Sequence, residues 1–116
     1  MKTRDFEMVV DKRFAECREI LLAKNKEYAE EGDKLSNFKE AADLKGESPE
    51  MALWGFWVKH IIGMKKIVLD LELDDMEPSE TMMRDKFSDM INYALLLEAL
   101  IRERKKDDSN NNTIGI

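Results

Sequence analysis

From residue 50 to about residue 73 the chain, wound as a helix, is apolar around nearly its whole girth, and that segment limits the folds open to it. Leu53, Trp57, Ile61, Met64, Val68 and Leu71 recur at three- and four-residue spacings, and Phe56, Val58, Ile62, Ile67 and Leu69 widen the arc until only a strip near Lys59 and Lys66 stays polar. Such a helix is either the centre of a bundle or shared with another subunit. Its start is equally legible. In Ser48-Pro49-Glu50, serine caps, proline takes the first helical position and glutamate meets the positive end of the helix dipole.

The neighbouring segments are helical as well. Over residues 5–31, Phe6, Val10, Phe14, Cys17, Leu21 and Tyr28 share one face, Glu16 and Glu19 fall opposite it, and Gly32-Asp33 punctuate the end. A short helix capped by Ser36 and stopped by Gly46 turns Phe38, Ala41 and Ala42 inward. After an acidic turn over residues 74–78, a last helix from Ser79 or Glu80 to about Arg104 carries Met83, Phe87, Met90, Ala94, Leu97 and Ile101 as its core stripe. Residues 105–116 form a polar, asparagine-rich, flexible tail. The reading is all-α: one domain over residues 1–104, an antiparallel bundle of three long helices plus one short helix.

Composition narrows the function. Nineteen basic residues against 25 acidic ones, interleaved along the chain, leave a net charge of −6, which is unsuited to duplex nucleic acid. One cysteine excludes an intrachain disulfide, and no apolar run has the length of a signal peptide or a membrane span, so a cytoplasmic protein is expected. A chain of 116 residues with such wide apolar arcs is expected to self-associate. Glu16 and Glu19 have the spacing of a metal pair but read as a solvated face.

The informative residues are the polar ones inside apolar arcs. Asp89 lies seven residues from both Met82 and Leu96 in a second apolar stripe that also holds Tyr93 and Leu100, and Lys86 precedes it by one turn. Burying either charge costs several kcal/mol unless it is paired, hydrated or ligand-bound. A local Lys86–Asp89 ion pair, a subunit contact and a ligand site all satisfy that requirement. His60 sits among Leu53, Phe56 and Ile67, where a hydrogen-bonded core histidine and a functional one are both open readings, and Gly63 one turn later marks a close approach.

The segments KNKEYAEEGDKLSNFKEAA, PEMALWGFWVKHI and DKFSDMINYALLLEALI resemble a phage and bacterial family described as nucleotide-modification-associated, itself similar to MazG-like all-α nucleoside triphosphate pyrophosphatases. The resemblance spans residues 24–103. It implies a nucleotide pocket built from Lys26, Tyr28, Asn37, Phe38, His60, Lys86, Asn92, Tyr93 and Asp89, although helical spacing puts Asn92 on the exposed side. For an active enzyme it implies phosphohydrolysis of the pyrophosphatase type, with His60 and Asp89 as catalytic residues, Asp89 as the magnesium ligand or general base, His60 as an acid or base and Lys86 as the phosphate clamp. The chain departs from the larger family's pattern of paired acidic residues. Lysine stands at position 86 where a glutamate is expected, and Val58-Lys59-His60-Ile61-Ile62-Gly63 has no acidic pair. The leading expectation is a phage-derived nucleotide-binding homo-oligomer. The rival is a non-enzymatic helical protein, such as a small acidic phage inhibitor of a host macromolecule.

Overall fold

The computed structural model describes the backbone of residues 1–28 and 32–112 and the side chains of residues 1–23 and 32–107. Four helices follow one another, α1 (Thr3–Tyr28), α2 (Ser36–Lys45), α3 (Pro49–Asp74) and α4 (Glu80–Asn112), and no strand occurs among the described residues. The fold is all-α, three long helices and one short.

Helix boundaries follow local chemistry. Ser48 Oγ accepts from the Met51 amide at 3.1 Å to start α3, and Ser79 Oγ accepts from Met82 at 3.0 Å to start α4. At α2 the expected serine cap is replaced. Leu35 occupies the cap position without a side-chain bond, and Asp33 Oδ1 takes the Leu35 amide at 2.9 Å instead. Lys39 bonds both Asp33 and Glu103, tying the start of α2 to α4. The Lys39 hydrogen bond, with help from the Leu35 amide, holds the Asp33 carboxyl below its usual range, and Asp33 and then Glu103 push the Lys39 ammonium up. Gly46 closes α2 at φ +68°, a left-handed conformation that side chains disfavour. Helix α4 runs beyond Arg104 to Asn112, through two thirds of the stretch expected to be a flexible tail, because no glycine or proline interrupts it there.

α4 is the central element. It packs against α3 on one flank and α1 on the other, while α2 lies on α3. Contacts between His60 and Asp89 and between Glu50 and Arg104 set α3 and α4 antiparallel. Lys12 with Glu80 and Cys17 with Asn92 show α1 running alongside α4 in the same direction, as an up-down-up bundle requires. The core is Leu35, Leu53 and Leu100, with Phe38, Trp57, Tyr93, Leu96 and Leu97 packed around them.

Two faces differ from the periodicity reading. On α1, Phe6 and Phe14 are 58% exposed, whereas Arg13 and Glu16 turn toward α4. Arg13 Nη1 donates to Glu16 Oε2 at 2.6 Å, Ser88 Oγ at 3.0 Å and the Arg84 carbonyl at 3.3 Å. On α4 the fully buried positions are Ser88, Asn92 and Leu100, while Ala94 and Ile101 of the expected core stripe are exposed. The α1–α4 interface is thus a polar seam with Cys17 as its apolar filler. Charges that neutralise one another can occupy an interface that polarity alone would assign to solvent.

Candidate functional site

Three residues three and four apart on α4, Lys86, Asp89 and Tyr93, meet His60 and Gly63 one turn apart on α3. Antiparallel packing aligns the two sets. His60 Nδ1 stands 3.7 Å from Asp89 Oδ2, within ion-pair reach but too long for a direct hydrogen bond. The His60 ring lies over Tyr93 with centroids 4.8 Å apart and planes tilted by 38°. Phe38 from α2 meets Tyr93 edge-on at 6.4 Å and Phe56 of α3 at 6.1 Å, which gives the cluster an aromatic wall. Burial first and the Asp89 charge second push the Tyr93 phenol above its ordinary value, so it stays a neutral donor at physiological pH.

Gly63 has a specific neighbour. A Cβ built there would lie 4.0 Å from Lys86 Nζ, so the close approach signalled by this glycine is to the ammonium of α4. His60 and Asp89 are both partly exposed, with a quarter or less of each side chain open, and Lys86 is exposed. The cluster is therefore a shallow polar patch at the α3–α4 crossing, backed by aromatic rings. It gathers a cation, a carboxylate, an imidazole and a phenol from two helices.

The expected pocket comes together in part. Phe38, His60, Lys86, Asp89 and Tyr93 converge. Asn37 is exposed on α2 and makes none of these contacts. Asn92 is buried rather than exposed. It faces α1, where its Nδ2 donates to the Cys17 carbonyl at 3.1 Å, and its Oδ1 has no hydrogen-bond partner among the described residues. The side chains of Lys26 and Tyr28 lie outside the described residues. Phe56 was not anticipated as part of the wall, although its place one turn before His60 was a readable signal.

No group of three or more histidine, cysteine, aspartate or glutamate side chains able to hold a metal occurs among the described residues. Position 86 carries a cation where the resemblance expects a second acidic ligand, and the carboxylate four residues before Asp89, Asp85, is exposed and lies 3.7 Å from Arg84. A groove of about 360 Å³ opens elsewhere, at the start of α3 beside Lys39, Glu50, Glu103 and Arg104. Its charges already pair, Lys39 with Glu103 and Arg104 with Glu50, so the chemistry favours the His60 cluster over this groove.

No helix among the described residues is long and apolar enough to cross a membrane. No protein-family model matches the chain, and neither does any curated protein or solved structure.

Proposed function

We propose that this protein binds a nucleotide carrying a single phosphate at the α3–α4 crossing. The observation that carries the reading is the convergence of Lys86, His60, Asp89 and Tyr93 from two helices onto one aromatic-backed patch. Lys86 would take the phosphate as a point charge, with His60 as a second donor. The rings of Phe38, Phe56 and Tyr93 supply an apolar wall for the base or sugar. Charge sets the ligand class. One fixed cation beside one carboxylate suits a monophosphate, whereas a metal-free triphosphate would bring several uncompensated negative charges.

The proposal is binding, and the resemblance to nucleotide-modification proteins of phages and bacteria supports it through the same residues. Hydrolysis of the pyrophosphatase type would require magnesium held by paired carboxylates, and this cluster lacks the second one.

A thermal-shift series against nucleoside mono-, di- and triphosphates, with and without magnesium, tests the reading. A monophosphate is expected to raise the melting temperature without magnesium, and Lys86→Ala should abolish the rise. A response to triphosphates with magnesium alone would overturn the charge argument. The absence of any nucleotide response would favour the rival reading, a non-enzymatic protein that binds a host macromolecule through its apolar outer surface.

A further inference from the structure

The outward face of α3 has its own order. Met51, Trp54, Val58, Ile61, Lys65, Val68 and Glu72 follow one another at alternating spacings of three and four, the seven-residue repeat of a coiled-coil seam, with Ile62 and Leu69 flanking it. This seam is turned roughly a third of the way around the helix from Leu53 and His60, which face α2 and α4. Apart from the half-buried Val58, its members are exposed in the protomer, Trp54 by 48% and Val68 by 62%. Five of the seven are apolar. A solvated helix face does not carry such a repeat over six turns.

The surface area says how much is left uncovered. A compact monomer of this mass exposes ~6,600 Å², and this chain exposes 8982 Å². Even half of that excess is more than the ~800 Å² that each partner gives to an interface of standard size. The radius of gyration, 17.6 Å, exceeds the ~13 Å of a compact chain of this length in the same sense.

We infer that the occupant of this face is the α3 of a second copy, packed antiparallel across a two-fold axis. A self-complementary seam is what an isologous dimer requires. The charges choose the direction: in a parallel pair Lys65 would face its own copy and Glu72 its own, whereas antiparallel packing separates both like-charge contacts. The pairing would convert two open helical layers into one closed bundle and leave both His60 clusters on the outer flanks of the α3 pair. The inference stands apart from the nucleotide reading, because no residue of the seam belongs to the cluster.

Sedimentation velocity on the full chain, over a hundredfold range of concentration, is the test. The expected particle has a mass of about 27 kDa, twice the 13.6 kDa of one chain. Ile61→Asp with Val68→Asp should reduce it to 13.6 kDa while circular dichroism stays helical, since both side chains are already open in the protomer. With Trp57 replaced by phenylalanine, so that Trp54 is the single tryptophan, emission from Trp54 locates the face: it should shift to the red on adding the two aspartates, or on dilution. A wild-type monomer at every concentration, or a trimer, would overturn the inference. So would a dimer that survives the double substitution or leaves Trp54 emission unchanged, because either result moves the contact to another face.

Discussion

Replacing Arg13 by methionine tests the polar seam between α1 and α4 most directly. The substitution keeps most of the aliphatic stem but removes a donor that serves Glu16, Ser88 and the Arg84 carbonyl at once. Glu16, with 17% of its side chain exposed, loses its ion-pair partner, and Ser88, fully buried, loses its donor. A buried group stranded in this way costs ~1–3 kcal/mol. Ser88 can turn back to its own helix and Glu16 can reach some water, so a loss of ~2 kcal/mol is expected for the single variant. Glu16→Met is milder, ~1 kcal/mol, because Arg13 keeps its other two acceptors. The double variant should cost less than Arg13→Met alone, since no charge is then stranded, which corresponds to a coupling of more than ~1 kcal/mol. Urea denaturation at one fixed protein concentration measures all three, and in melting temperature each kcal/mol is worth about 4 °C for a chain of this length. Purely additive losses, or an Arg13→Met variant as stable as wild type, would show that the seam is held by something other than this network.

Other outcomes follow from single features. Gly63→Ala should stabilise α3 by up to ~1 kcal/mol in urea denaturation, because its new methyl meets Lys86 Nζ only at ordinary contact distance, 4.0 Å. Ser48→Ala should cost ~1 kcal/mol in the same assay by removing the acceptor for the Met51 amide. The Tyr93 phenol is pushed up in the folded state, so its contribution is whole below the unfolded phenol's pKa of about 10 and is lost as pH rises above it; stability measured across that range should fall less steeply in Tyr93→Phe.

Much of this architecture was legible because helix ends are chemical. Ser48-Pro49-Glu50 announces α3, Gly46 ends α2 and Ser79 starts α4, each through an atom that accepts or frees a backbone hydrogen bond. Which way a helix turns its faces was harder to read. Periodicity identifies a stripe, but the packed face depends on where the neighbouring helix arrives. Phe6 points inward by spacing yet lies near the start of α1, before Lys12 draws level with the first residue of α4, so little of α4 is there to cover it. Asn92 and Glu16 read as surface residues because each is polar alone, yet with Ser88 and Arg13 they lie along one buried or part-buried seam. The candidate site was more visible for a related reason. His60, Asp89 and Tyr93 interrupt apolar arcs, and antiparallel packing of those arcs aligns the interruptions.

The place of α1 in the bundle also sets a schedule for making the protein. It is synthesised first, but the helix it packs on comes last: Asn92 follows Cys17 by 75 residues. At ~5–20 residues per second, the ribosome leaves this helix without its partner for roughly 4–15 seconds. During that interval α3 can already engage α2, which it follows closely in the chain. A newly made α1 therefore spends seconds as an amphipathic helix in search of a surface, and a chaperone that holds amphipathic segments would meet this protein at Thr3–Tyr28.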